Sequence, residues 1–438
     1  MVSPASTSTA RAATLAVIVA ALGYFVDIYD LILFGMVRTP SLLDIGVCTG
    51  LSDRACKDVL TSDGVLLLNM QMGGMLLGGI LWGVLGDKRG RLSVLFGSIT
   101  MYSIANIANG LVDTIPEYAV CRLIAGIGLA GELGAGVTLV SELMGRHSRG
   151  VGTTIVAALG ISGGVLAGLI SGAVPGIPHP DWRTAYYIGG GMGLALLVLR
   201  IGVVESGMFK TVLATKHISR GNFFHLFTNR RRLLRYLAII CVGVPVWYMI
   251  AILYTFADRI GGALGLSPAP SNASALFYCY IGCALGGLAS GLLSQWLRSR
   301  KRALAVFLVV SAASTAAYFV IGGTSSWVFY VMCGVGGFAT GYWAVFISTA
   351  AELFGTNLRA TVTTTVPNFV RGSAVLLTTG YKVLEPSTGI VEAAIVVGVF
   401  SFGVAGVGLA TLRETFGIDL DFNETDREDS ATAITSAA

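Results

Sequence analysis

Apolar blocks of about 20 residues, separated by short charged or Gly/Pro-containing breaks, recur along the chain, each long enough to cross a hydrocarbon core of roughly 30 Å as a helix. Lipid offers no partner to a bare backbone N–H or C=O, so such a pattern restricts the chain to a bundle of membrane helices. Of the 438 residues, 54% are hydrophobic and 12% charged, and the mean hydropathy is +0.76. A soluble domain would carry roughly 25% charged residues. The 58 glycines fit the same reading, because small residues let membrane helices approach closely. GGMLLGGILWG (73–83) and GISGGVLAGLISG (160–172) read as packing faces.

The spacing predicts helices over 12–37, 63–86, 92–112, 117–143, 151–174, 185–204, 236–257, 273–296, 303–322, 327–353, 360–384 and 390–412. Lys88, Arg89, Arg91, Arg146, Arg149, Lys210, Arg230 to Arg232, Arg298, Arg300 to Arg302 and Arg359 then share one side. Arg38, Arg54, Lys57, Arg183, Arg259 and Lys382 are left on the other. The positive-inside rule makes the first side, with both termini, cytoplasmic. A formal charge of +5 thus reflects lopsided loops and not a nucleic-acid surface. The start, MVSPASTSTARAATLAV, reads as a tail entering the first helix.

Organisation follows from composition. A basic connection over 205–235 divides an N-terminal bundle (1–204) from a C-terminal bundle (236–412), and 413–438 forms an acidic tail. An internal repeat supports the division: CRLIAGIGLAGELGAGVTLVSELMGRHSRGVGTT from 121 aligns without gaps with VMCGVGGFATGYWAVFISTAAELFGTNLRATVTT from 331. Gly126 matches Gly336 and Gly131 matches Gly341, while Glu142, Leu143, Gly145 and Arg149 match Glu352, Leu353, Gly355 and Arg359. The expected fold class is an all-α membrane protein of about twelve transmembrane helices in two pseudo-symmetric bundles of about six each. Cys121, Cys241, Cys279, Cys283 and Cys333 fall within apolar spans and read as packing residues. Cys48 and Cys56 share a polar loop, where a disulfide is open if the loop faces an oxidising compartment.

GVLGDKRGRLSVL joins the second and third helices, and its Gly83, Asp87, Lys88, Gly90 and Arg91 fit the pattern G-x-x-x-D-[RK]-x-G-R. The fourth helix carries Arg122, Gly126, Gly128, Gly131 and Glu132 in RLIAGIGLAGE, with Ala130 in place of one glycine of R-x-x-x-G-x-G-x-G-G-E. On these motifs the chain resembles the major facilitator superfamily, and GYFVDIYD and ESGMF are most similar to its metabolite:proton symporter and sugar-porter-like branches. The resemblance implies a secondary transporter working by alternating access, with a gate at the Asp87 turn. The second-half counterpart, GLLSQWLRSRKR, has Gln295 where the carboxylate would be, which makes the latch asymmetric. A cell membrane, that of a bacterial inner membrane, and a monomer that takes a small-molecule substrate and protons are the matching expectations. No cofactor, metal site, nucleic-acid partner or enzymatic nucleophile is expected.

Charged side chains near the bilayer centre are costly and mark function. Asp27 and Asp30 share one face of the first helix, and Arg122 lies at a similar depth on the fourth. We expect Asp30, with Asp27, to take a proton while Arg122 holds it ionised between turnovers. Glu132 is divided between a coupling role and a helix–helix hydrogen bond. Glu142 and Glu352, at helix ends, are expected to pair with Arg149 and Arg359. Arg371, mid-span after Pro367 and Asn368, offers a planar fork for a substrate anion, or else bridges to Asp27 or Glu132. Tyr24, Asn69, Gln71, Trp247, Tyr248, Tyr278, Tyr342, Trp343 and Asn368 are candidates to complete a substrate site. The leading expectation is proton-coupled symport of a small polar or anionic metabolite. The alternatives are a divalent-cation carrier using Asp27 and Asp30 as oxygen ligands, or a proton-driven exporter.

Overall fold

The computed structural model describes residues 4–89, 91–134, 149–205 and 223–418, and among them all regular structure is helical. The long helices run in chain order as α1 (Pro4–Asp44), α2 (Asp53–Arg89), α3 (Arg91–Asn109), α4 (Ile115–Leu129), α5 (Arg149–Ile170) and α6 (Trp182–Glu205). A short α7 (His225–Thr228) leads into α8 (Arg230–Tyr248), a π-helical stretch (Met249–Tyr254) and α9 (Ala257–Ala263). Then come α10 (Asn272–Trp296), α11 (Arg300–Ile321), α12 (Ser326–Thr340), α13 (Trp343–Glu352), α14 (Thr356–Thr388) and α15 (Ile390–Thr411). Each span expected from sequence contains a described helix, and eight of the described helical stretches are long and apolar enough to cross a membrane.

The first two helices are longer than their apolar cores. They run on through polar sequence to leave a short turn closed by the Cys48–Cys56 disulfide, with Cα atoms 4.9 Å apart. Intrahelical hydrogen bonding does not end where hydrocarbon does, so hydropathy underestimates helix length at wet ends. We call this end of the bundle the disulfide face and the opposite end the basic face.

The internal repeat reappears as repeated packing. Helix α2 lies on α4 as α10 lies on α12, α3 lies on α6 as α11 lies on α15, and α1 lies on α5 as α8 lies on α14. Glycine sets the closest of these approaches: a Cβ on Gly74, Gly78 or Gly126 would run into backbone atoms of Leu123, Ile127 or Gln71 across the α2–α4 seam. On the α10–α12 seam the same holds of Gly282, Gly286 and Gly337 against Gly334, Phe338 and Cys279. The helix turns break at equivalent points, Ala130–Gly131 after α4 and Gly341–Tyr342 after α12, so the aligned glycines Gly131 and Gly341 both mark an interruption. Between the halves, α2 packs on α14 and α5 on α10.

At the basic face α10 ends in a Schellman turn: the Ser299 N–H donates to Ser294 O at 3.2 Å and the Arg298 N–H to Gln295 O at 3.2 Å. Arg298 thereby takes a left-handed backbone (φ 48°), a position that favours glycine. Arg298→Gly should stabilise the protein by about 0.5 to 1 kcal/mol, read as a small rise in thermal midpoint in detergent. A fall would mean that the lost side chain mattered more than the relieved backbone.

Candidate functional site

Helix α1 brings Asp27 to the centre of the molecule, where Arg371 of α14 donates through Nη2 to its Oδ2 at 3.3 Å. The aspartate is 0% exposed and the arginine 1%, so this pair, joining the two halves, is sealed on every side. Among the described residues Arg371 Nε and Nη1 and Asp27 Oδ1 have no hydrogen-bond partner. Beside them the Trp343 Nε1–H donates to the Tyr24 hydroxyl at 3.0 Å, again across the halves, and Trp343 stacks on Phe346 with centroids 5.0 Å apart. Gly160 gives room for the Tyr24 ring and Gly164 for Tyr280. A charged pair inside an aromatic box is the result.

Asn368, one turn before Arg371, donates to Ala130 O at 2.8 Å and to Thr364 O at 2.7 Å. It ties α14 to the break after α4. Asn69 accepts from Thr378 Oγ1 at 2.7 Å, which places it on the α2–α14 contact.

Arg122 does not sit on Asp30 as the sequence suggested. Its Nη2 donates to Gln71 Oε1, its Nη1 to the Tyr186 hydroxyl at 3.4 Å, and its guanidinium lies 4.6 Å from the Phe34 ring centre. The cause is the glycine seam: Gly126 draws α4 onto α2 at Gln71, presenting an amide oxygen to the arginine. The two oxygens of Asp30 close no hydrogen bond of ordinary geometry among the described residues, with Asn106 and Arg122 nearby.

Glu132 forms a bidentate ion pair with Arg200 of α6, through Oε1 to Nη2 and through Oε2 to Nη1 at 3.1 Å. Gly23 of α1 makes room for it, since a Cβ there would strike both partners. Arg200 escaped sequence reading because it stands near the end of its span, where a lone arginine looks like a loop charge. Glu352 pairs with Arg300 (3.0 Å) and accepts from Thr415 Oγ1 at 2.8 Å; it was expected on Arg359. Arg359 instead folds back within the first turn of α14 to donate to Ala351 O at 3.1 Å. Near Arg300, partial burial raises the Glu414 carboxyl, but Ser299 and the N–H groups of Phe416, Arg300 and Thr415 prevail and hold it below the usual carboxylate range.

Three aromatic candidates are committed elsewhere. The Tyr248 hydroxyl donates to Ala394 O at 2.8 Å, the Tyr342 hydroxyl to Val242 O at 2.9 Å, and Tyr278 is 39% exposed beside Tyr330. Trp247 is buried in the core. Gly83 packs toward Thr365 of α14. The side chains of Asp87, Lys88, Arg91 and Arg149, and the whole of Gly90 and Glu142, lie outside the described residues.

The disulfide face is shut by a second charged set that sequence reading had counted as loop charges. Buried Arg38 of α1 grips Asp258 of α9 at 2.9 Å through both carboxylate oxygens and lies 4.6 Å from the Phe256 ring centre. Arg259 reaches Glu385 in its own half and Asp58 of α2 at 3.7 Å. Lys382 donates to Ser62 at 2.7 Å.

These features agree with what comparison with known proteins finds. The family model of the major facilitator superfamily matches residues 60–379. A 3-(3-hydroxy-phenyl)propionate transporter of Escherichia coli K12 is 26% identical over 365 residues, covering 74% of this chain and 83% of its own. A niacin transporter of Acinetobacter baylyi is 31% identical over 166 residues, covering 37% of each chain. In architecture the chain is similar to a proton:xylose symporter solved with 6-bromo-6-deoxy-D-glucose, with a TM-score of 0.65, 17% identity, and coverage of 94% of this chain and 98% of that one. With two halves packed alike around a sealed, charged centre, and with a family match over most of its length, the chain belongs to the major facilitator superfamily of membrane transporters.

Proposed function

We propose that this transporter moves a small aromatic carboxylate together with one proton, and that Arg371 and Asp27 couple the two. The carrying observation is the buried Arg371–Asp27 pair between the halves. A guanidinium has two planar forks, Nη1/Nη2 and Nε/Nη2, and both include Nη2, the atom that holds Asp27. Each fork uses a different hydrogen of Nη2, so a substrate carboxylate can take the fork that Asp27 leaves free, and it then competes with Asp27 for the single positive charge of Arg371. Two buried carboxylates on one cation leave a net negative charge, which is costly away from water, so Asp27 accepts a proton. The closed site is neutral before the exchange, as arginine with aspartate. It is neutral afterwards, as arginine with substrate and a protonated aspartate.

Tyr24 and Tyr280 lie near that guanidinium, and Trp343, bonded to Tyr24 and stacked on Phe346, extends the aromatic wall, which suits a ring bearing an acid. The named cargoes of two relatives, 3-(3-hydroxy-phenyl)propionate and niacin, have this chemistry. We place the basic face and both termini in the cytoplasm of a bacterial inner membrane, by the charge asymmetry of the loops, with the disulfide on the oxidising side. The divalent-cation reading loses support, because Asp27 is held by Arg371 and, among the described residues, no cluster of His, Cys, Asp or Glu could hold a metal.

The test is uptake of labelled nicotinate and 3-(3-hydroxyphenyl)propionate into proteoliposomes under an imposed pH gradient or an imposed membrane potential. One proton per monocarboxylate is electroneutral, so the pH gradient should drive accumulation and the potential should not. Accumulation driven by potential alone, or transport of xylose in preference to both acids, would sink the proposal.

A further inference from the structure

A line of buried polar groups runs through the interior of the first half, behind the central site. Tyr102, Ser103, Asn106 and Asn109 lie on one face of α3 within two turns, about 10 Å of helix, and all are 0% exposed. Asp30 faces them from α1, nearest to Asn106. Helix α6 meets this seam closely at three glycines: a Cβ on Gly189 would strike Asp30 Oδ1, one on Gly190 the backbone of Ser103, and one on Gly193 Ser103 Oγ.

Among the described residues none of the polar side-chain atoms in this line closes a hydrogen bond of ordinary geometry, although Asp30 and Asn106 lie close enough to interact. The unpaired atoms are both oxygens of Asp30, both amide atoms of Asn106 and of Asn109, Ser103 Oγ and the Tyr102 hydroxyl. Folded proteins leave few buried polar atoms unpaired, and where protein partners are lacking ordered water supplies them. So many in a single stripe, donors and acceptors both among them, match a chain of water far better than they match apolar packing.

The line has ends. Asn109 is the last residue of α3, and the adjoining Gly110 O accepts from Arg183 Nη1 at 3.2 Å. Arg183 also holds the exposed carboxylates of Asp44 and Asp113 at the disulfide face. At the inner end the Tyr102 hydroxyl shares its surroundings with Glu132, Arg200 and Asp30. Other titratable or charged groups around Asp30 are Asp27 and Tyr29 on its own helix, Arg122 on α4 and Tyr186 on α6. Arg122, so near, argues against a bound metal cation, whereas neutral water is compatible with it.

We propose that the α1–α3–α6 seam holds a file of water joining the disulfide face to Asp30, through which Asp30 exchanges its proton without passing the central site. A proton entering the file at Asn109 releases another at its inner end, where an O–H bond forms on Asp30; Asp30 then passes its proton to Asp27, three residues away on the same face of α1, and the reverse steps release it. Proton exchange can then continue while the Arg371 site is occupied and closed. The role of the file in coupling rests on the proton-symport reading above; its hydration does not.

Two measurements test it. Radiolytic hydroxyl labelling of the intact protein in detergent, with H₂¹⁸O and peptide mass spectrometry, should modify Tyr102 readily despite its burial, while Tyr248, equally buried but bonded to Ala394, stays unmodified. Absence of label on Tyr102 overturns the file, whatever the transport assays show. Ser103→Val and Asn106→Leu, which fill the seam, should slow pH-driven uptake by at least about tenfold and leave substrate counterflow at fixed pH within twofold. Ser103→Thr, which keeps the hydroxyl, should retain pH-driven uptake. If the filled variants lose counterflow and pH-driven uptake alike while Ser103→Thr is normal, the seam is only structural and the proton role fails. If Tyr102 is labelled but wild-type uptake ignores pH, the water stands and both the proton role and the symport reading fall.

Discussion

Arg371→Gln is expected to abolish concentrative uptake and to lower stability by about 3 to 5 kcal/mol, because Asp27, left without its cation in a site closed to water, must either stay charged or take up a proton at neutral pH, and both are costly. The two effects separate in the double variant. Asp27→Asn added to Arg371→Gln removes the stranded charge, so most of the thermal stability should return while transport stays absent. A double-mutant cycle on thermal midpoints, with substrate binding measured alongside, checks this. Arg371→Lys sharpens the point: an ammonium can still neutralise Asp27 but has no planar fork, so it should fold well and bind carboxylates weakly. Undiminished carboxylate affinity in Arg371→Lys would show that the fork does not grip the substrate.

The second large effect is expected at Arg200. Arg200→Leu strands Glu132, which is 2% exposed and has both oxygens bound by Arg200, and should cost about 3 to 5 kcal/mol. Arg200→Leu with Glu132→Leu should regain most of that loss, since an apolar pair of similar volume replaces a buried ion pair at little net cost. Gly23 limits how fully the double variant can repack, because the space it leaves is shaped for the ion pair. If the double variant recovers both its thermal midpoint and pH-driven uptake, Glu132 is a strut between α4 and α6. If it recovers the midpoint alone, Glu132 takes part in coupling.

Much of this architecture is legible in the sequence because lipid enforces it: a span must be long, apolar and helical, and each of those conditions writes itself into residue order. The glycines of the fourth helix were equally readable, and the structure shows Gly126 admitting α2 and Gly128 admitting α3. What sequence handled poorly was partner choice among charges. Asp27, Asp30, Arg122, Glu132 and Arg371 all stand out as buried charges, and the bridge from Arg371 to Asp27 was among the alternatives, yet Arg122 went to Gln71 and Glu132 to Arg200. Depth along a span restricts which residues share a level, but rotation of each helix decides which of them meet, and rotation is set by packing. Arg38, Asp258 and Arg259 were missed for a related reason. A charge at a helix end looks the same in sequence whether it meets water or the opposite half of the protein.

The closure at the disulfide face also bears on speed. Burying an ion pair costs in desolvation nearly what it returns in attraction, so undoing Arg38–Asp258 releases two groups to a solvent that welcomes both. Such a clasp has almost the same free energy shut or open, yet it engages only at hydrogen-bonding range. It resembles a catch with a fine tooth and a soft spring: it defines when the door is closed without making it slow to open. Turnover in such a molecule would answer to ionic strength on the disulfide face, where added salt eases the release of Arg259 from half-exposed Asp58 more than that of sheltered Arg38.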